Sequence, residues 1–347
     1  MGMNVYVGTE RGVLTLRKNG SGSWEIEHEA LKNWAVDDVA VVPGEPGTVL
    51  AATRGDGVWL SRDSGKSWTK PSYGKRGPGK VRSLAVDPKN PNRVYAGGEP
   101  IDLWFSDDLG ANWDRFDSIW DLPSIASITY PVAAVEPHVR DITIDPRNPD
   151  TIYAALQVGY MIRSIDRGRS WELLDHEVDA DIHTVVVDPS DGQTIFVATG
   201  GHDSRSGRVK GRALYQSHDR GNSWSPTAME FSHEYSVPLV MHPRNPQILF
   251  SSLAHGTPGA WQQRSGDAQG AIVRTLDGGK TWEQLGGRSS EMSGRFAHAI
   301  AFDESEPDHV FAALNTGDLL ASEDGGDSWV NLGVKAPRVS NMQVARA

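Results

Sequence analysis

The chain has 347 residues, 38% of them hydrophobic and 23% charged, with a net charge of −11 and no long basic run. That composition fits a globular protein large enough for one big domain or two to three ordinary ones, and it argues against nucleic acid as the main partner. Cysteine is absent, which excludes disulfides and thiolate chemistry and leaves the compartment unreadable from redox usage.

The N-terminal stretch "MGMNVYVGTERGV" reads as a strand. It has neither a basic segment nor the apolar run of a signal peptide or membrane span, so the expectation is a cytoplasmic protein with no membrane partner. Two phrases then alternate along the chain. The first is "SRDSGKSW" from Ser61, "SDDLGANW" from Ser106, "SIDRGRSW" from Ser164, "SHDRGNSW" from Ser217, "TLDGGKTW" from Thr275 and "SEDGGDSW" from Ser322. A degenerate copy, "RKNGSGSW", ends at Trp24 and has Asn19 in the Asp place. The seven tryptophans that close them are Trp24, Trp68, Trp113, Trp171, Trp224, Trp282 and Trp329, spaced 44 to 58 residues apart. The second phrase includes "VDPKNPNRVYAG" from Val86, "IDPRNPDTIYAA" from Ile144, "VDPSDGQTIFVA" from Val187 and "MHPRNPQILFSS" from Met241.

Each unit therefore predicts four short strands. Strand A precedes the "DP", strand B follows the "NP" turn, strand C runs into the eight-residue phrase, and strand D begins at its tryptophan. A period of 40–50 residues with four strands is a propeller blade. Within the phrase, Ser and Asp side chains can take up backbone N–H groups in a tight C–D turn, Gly permits a positive φ, and Trp packs between blades. The prediction is an all-β, single-domain, seven-bladed propeller over residues 1–347. One blade joins 338–346 to 3–28, and the others fall at about 35–71, 80–116, 138–174, 182–227, 235–285 and 296–332. Pairing the C-terminal strand with the N-terminal blade closes the ring and removes both free edges.

Spacing locates the insertions. From the "DP" position to the next box tryptophan is 26 residues in four blades (Asp87 to Trp113, for instance), but 36 from Asp188 to Trp224 and 40 from His242 to Trp282. The extra residues lie between strands B and C. Another long spacer, 32 residues from Trp113 to Asp145, joins strand D to the next strand A. Both kinds of connection emerge on the face opposite the repeated turns, where loops on a rigid scaffold place function.

Strand A lines the channel, so its first residues ring the mouth on that face: Asp37, Arg82, Arg140, His183, Val237 and His298, with His138 two residues before Arg140. Glu234 and Tyr235 precede the equivalent strand, and the ends of strand B add Glu10, Arg54, Glu99, Gln157, His202 and His255. Three readings stand side by side. His183, His202, His255 and His298 could hold a divalent transition metal that activates water. Alternatively, Arg82, Arg140 and Arg54 could bind an anionic substrate, helped by Glu99, Gln157, Tyr160, Glu234 and Tyr235, while His138, His183, His298 and Asp37 move protons. Or the charged residues form an ion network that plugs the channel.

The phrase S-x-D-x-G-x-[ST]-W, present in six good copies, is the Asp box. Over nearly its whole length the chain resembles the Asp-box (BNR-repeat) propellers of the sialidase-like superfamily, which include sialidases, xyloglucan-active glycosidases, sortilin-type receptors and photosystem II assembly propellers. The resemblance implies that the boxes are structural and lie away from the active face. In sialidases three arginines hold a carboxylate; Arg82 and Arg140 would be two of them here, and Arg295 or Arg338 the third. Where sialidases carry an "RIP" segment this chain has "TERG". The expectation is therefore a hydrolase or lyase acting on a small polar or anionic, sugar-like substrate. The alternative is a non-catalytic propeller that binds a protein or glycan partner.

Overall fold

The computed structural model describes residues 2–71, 76–129, 135–286, 292 and 294–346. Its short apolar runs form strands because each is bounded by Pro, Asn or Gly turns and is covered on both faces. Strand B of blade four, Ile152–Leu156, and of blade seven, Val310–Leu314, are buried at every position. One face of each such strand packs on its own neighbours and the other on the next blade. Thus Tyr95, Leu103 and Phe116 of blade three share a cluster with Ile142, Ile152 and Trp171 of blade four. Repeating that contact around a circle builds seven wedge-like cores in place of one centre.

The sheets confirm the seven blades. Six are four-stranded and antiparallel, each with the predicted strand A innermost. The seventh sheet has three strands, Val36–Val42, Glu45–Thr53 and Gly57–Ser61, and its fourth strand is reduced to a single bridge between Leu60 and Thr69. The inner strands around the channel are Val36–Val42, Val81–Asp87, Val139–Ile144, Ile182–Val187, Tyr235–Met241, Ala297–Phe302 and Val339–Arg346. The last of these pairs antiparallel with Met3–Thr9, from Met3 opposite Arg346 to Thr9 opposite Val339, so the closure read from the missing strand is present. Arg346 fastens the seam further. Its Nε lies 2.6 Å from Asp303 Oδ2, and its terminal nitrogen 2.7 Å from a Glu306 carboxylate oxygen, both on blade seven.

The repeated turn has the same geometry in six blades. In blade four, Ser164 Oγ donates to Asp166 Oδ1 at 2.8 Å and accepts the Gly168 amide at 2.7 Å. Asp166 then accepts the amide and hydroxyl of Ser170 at 2.9 and 2.6 Å. The same four bonds recur at Thr275, Asp277, Gly279 and Thr281. Glycine is required twice over. At Gly326 φ is +94°, and a Cβ there would lie 2.7 Å from Cε1 of Phe250 in the preceding blade.

Inner strands face a channel rather than a neighbouring sheet, so they need other partners for some backbone groups. Side chains of the preceding blade supply them. Asp38 Oδ2 accepts the Leu84 amide at 2.8 Å, Asp141 Oδ2 accepts the Val185 amide at 2.8 Å, and Ser83 Oγ donates to the Val139 carbonyl at 3.0 Å. These bonds fix the order and tilt of the strands that carry the polar ring.

Candidate functional site

The central funnel holds a cavity of about 340 Å³. Its wall includes Asp37, Arg54, Arg82, Arg140, His183 and His298, all anticipated as ring residues. Asp38, Asp141 and Asn341 lie there too, one residue further along their strands, together with Arg338 from the closing strand. Asp38 and Asp141 were missed because strict strand alternation would turn each away from Asp37 and Arg140. Instead the strand pairing shifts register between Val36 and Asp38, and between Val139 and Asp141.

The wall divides into two halves. In one, every charge is paired. Arg54 holds Asp37 through two bonds of 2.9 and 2.5 Å. Arg82 reaches Asp37 at 3.0 Å, Glu99 at 3.3 Å and His138 Nε2 at 3.1 Å. Because His138 Nδ1 sits 2.9 Å from the Glu136 carbonyl, it must donate there, which leaves Nε2 as the acceptor for Arg82. Burial first, then Arg82, pushes His138 down to about 3, so the ring is neutral. Its two nitrogens are both occupied.

In the other half the cations are unspent. Among the described residues, no side-chain hydrogen bond or ion pair reaches Arg140, Arg338 or His298. Burial, then Arg338 and Arg140, pushes His298 down to about 3. The ring packs edge-on to Phe296 with centroids 5.3 Å apart. Below it, burial pushes Asp38 up to about 8 and Asp141 up to about 6. This half of the wall therefore presents two guanidinium groups, a neutral imidazole and the protonated Asp38 carboxyl, with Asp141 and Glu10 as further carboxyl groups on the same wall. Arg295 is exposed and lies outside this wall.

His183 belongs to a third arrangement. Its Nδ1 donates to the Ser236 carbonyl at 2.6 Å, its Nε2 lies 3.4 Å from Asp181 Oδ1, and Gln157 Nε2 donates to the same oxygen at 3.2 Å. Burial raises Asp181, but His183, Arg140 and His202 together outweigh it and the carboxyl ends below its ordinary range. Nearby Asp179, fully buried, accepts amides of Asp181, His202, Asp203 and Ser204 and so ties the blade-five insertion to the inner strand. Its only trace in the sequence is the "DAD" at 179–181.

The remaining anticipated residues lie elsewhere. Tyr160 and His202 line a separate cavity. Glu234 accepts His255 Nδ1 at 3.2 Å and the Gly256 amide at 2.8 Å. His255 stacks on His233 with centroids 4.2 Å apart. Tyr235 is buried against Trp261 and Phe296. The four histidines of the metal reading, His183, His202, His255 and His298, are thus spread over different environments. Among the described residues the group whose potential ligand atoms converge is Asp303, Glu306 and His309. It lies on blade seven's A–B turn, and Arg346 already occupies it. No helix among the described residues is long and apolar enough to cross a membrane.

A family model described as sortilin, neurotensin receptor 3 (Sortilin-Vps10) matches residues 159–286. A xyloglucanase of Paenibacillus sp is 25% identical over 214 residues, which cover 55% of this chain and 20% of that protein. The chain therefore spans about a fifth of the curated relative it matches. Among solved structures, the xyloglucanase from Xanthomonas campestris superimposes with a TM-score of 0.67 at 18% identity, over 98% of this chain and 52% of that one. YCF48 bound to a D1 peptide superimposes with a TM-score of 0.56 at 18% identity, over 85% of this chain and 80% of that one. Identities this low speak to architecture alone, and that architecture is the seven-bladed β-propeller of four-stranded blades described above.

Proposed function

We propose that the funnel is the site of a hydrolase or lyase that acts on a small anionic, sugar-acid-like substrate. One observation carries this reading: Arg140 and Arg338 face the funnel cavity with no side-chain hydrogen bond or ion pair among the described residues, beside arginines that are fully paired. Two guanidinium groups with unspent donors so placed fit a carboxylate or phosphate. The acid–base pair follows from the environments. Asp38, pushed up to about 8, carries a proton to give at neutral pH. His298, pushed down to about 3, has a lone pair to take one. Titratable groups whose environments separate them this way mark acid and base roles. Bidentate charge pairing by Arg140 and Arg338 would orient the substrate, and Phe296 with the buried Trp261 would fix the imidazole plane.

Calorimetric titration of the intact chain with D-glucuronate tests the binding step, and turnover of 4-nitrophenyl β-D-glucuronide, citrate and phosphate esters tests the chemistry. Saturable binding weakened at least tenfold by Arg140→Ala, with turnover lost in Asp38→Asn, is the expected result. Equal binding in Arg140→Ala removes the reading.

A docking role has its own support. Trp120, on the long D–A insertion, is 46% exposed, and the structurally similar YCF48 is seen with a peptide. A peptide's terminal carboxylate could use the same two arginines. In that case Asp38→Asn would leave binding unchanged and no turnover would be found.

A further inference from the structure

Beside the funnel lies a second cavity of about 420 Å³, between the insertion that joins blades three and four and the blade-five loop. We propose that it is a binding site for a neutral, hydroxyl-rich ligand, namely a single sugar residue. The inference stands apart from the anionic reading of the funnel.

The lining mixes hydrogen-bonding side chains, among them Ser127, Tyr160 and His202, with the apolar side chains of Ile128, Val158 and Leu173. A pyranose presents hydroxyls at its rim and C–H groups on its faces, so it matches such a wall better than an ion does. Charge selects the same class. Asp203 is 2% exposed, yet both its oxygens are engaged. Oδ2 accepts Tyr160 Oη at 3.2 Å and the Ala180 amide at 3.3 Å, and Oδ1 pairs with Arg208 at 2.9 Å. The buried carboxylate and its arginine cancel, and the charge left on the wall is the exposed Asp175, which repels an anion and can accept a hydrogen bond from a hydroxyl. The imidazole of His202 has no hydrogen-bond partner among the described residues and remains free to meet a hydroxyl.

The backbone is shaped for the purpose. The turn Gln157–Tyr160 places Val158 at φ +55° and Tyr160 at φ +63°. A β-branched residue in the left-handed region is costly and persists only where surroundings impose it. Here the turn is pressed against the insertion, since a Cβ on Gly159 would lie 2.8 Å from Ile128 Cδ1. That packing holds Val158 and Tyr160 at the cavity wall.

Saturation-transfer NMR and calorimetry on the full chain with methyl β-D-glucopyranoside test the site. Saturable binding, weakened at least tenfold by His202→Ala and by Ser127→Trp yet unchanged in Arg140→Ala, is the expected pattern. Ser127 is exposed at the rim, so its substitution blocks the cavity without touching the core and serves even if His202→Ala unfolds. Absence of saturable binding overturns the proposal. So does binding that survives Ser127→Trp but is lost in Arg140→Ala, since the sugar would then sit in the funnel.

Discussion

The two faces of the ring treat polar groups in opposite ways. On the box face, Asp63 in blade two and Asp324 in blade seven make the same bonds to the same kinds of atoms. Each carboxylate is saturated within its own turn. On the insertion face the arrangement differs from blade to blade. Asp37 sits between two arginines, while Arg140 makes no ion pair among the described residues. Repetition on one face shows what the scaffold needs. On the other face, unspent groups show where a ligand has somewhere to bind.

The comparison can be broken most severely at the seam. Removing residues 338–347 takes away strand A of the first blade and exposes the inner edge of Met3–Thr9. We expect the truncated chain to lose its cooperative thermal transition altogether; a sharp melt within a few degrees of the intact chain would show that closure is dispensable.

The next largest effect separates two arginines that look alike in sequence. Arg82→Ala leaves Asp37 and Glu99 short of a buried partner and should cost about 3 kcal/mol in urea unfolding. Arg140→Ala should change stability by less than about 0.5 kcal/mol, as expected where no bond is lost, while removing anion binding. Similar losses for both would mean that Arg140 is structural.

A smaller effect is expected at a single box. Asp277 lies at about 2, below its usual 3.8, because the Thr281 amide and hydroxyl bond its charged form. Asp63, Asp108, Asp166, Asp219 and Asp324 shift in the same direction. A carboxyl whose folded value is depressed stabilises the ring above about pH 4 and loses that contribution as pH falls towards 2. Asp277→Asn should lower the melting point by about 2–4 °C at pH 7 and flatten acid unfolding over that window, with ligand binding untouched. An unchanged acid profile would place the acid-sensitive groups elsewhere.

The subtlest test involves no mutation. His138 and His298, both pushed down to about 3, should show flat imidazole NMR shifts from pH 8 to about pH 4.5. A midpoint near the ordinary 6.5 for His298 would remove it as a neutral base.

Most of the fold could be read from the chain because the box is a local device: eight residues contain all the donors and acceptors they need. Ring closure was also readable, since residues 3–28 supply one strand too few and 338–346 supply it. The short helix Pro258–Gln263 left no comparable trace, because it is held by Trp261 Nε1 donating back to the carbonyls of His255 and Gly256. At the site, strand position told which residues reach the channel but not which would neutralise one another. Arg82 is paired because His138 and Glu99 arrive from two adjacent blades, a meeting set by the blade angle. Asp38 escaped notice because the register shift between Val36 and Asp38 breaks the alternation expected of a regular strand. The second cavity was out of reach because Tyr160 and His202 become a site only where the insertion after Trp113 folds over them.

Arg338 stands at the start of the strand that shuts the ring, and Arg140 sits across the channel wall in blade four. An anion that bridges them is therefore a clasp across the seam. By linkage, such a ligand raises the free energy needed to part Val339–Arg346 from Met3–Thr9. Occupancy could then be followed without any assay of turnover, from the rate at which seam amides exchange with deuterium: an empty ring would breathe, and a loaded one would stay shut.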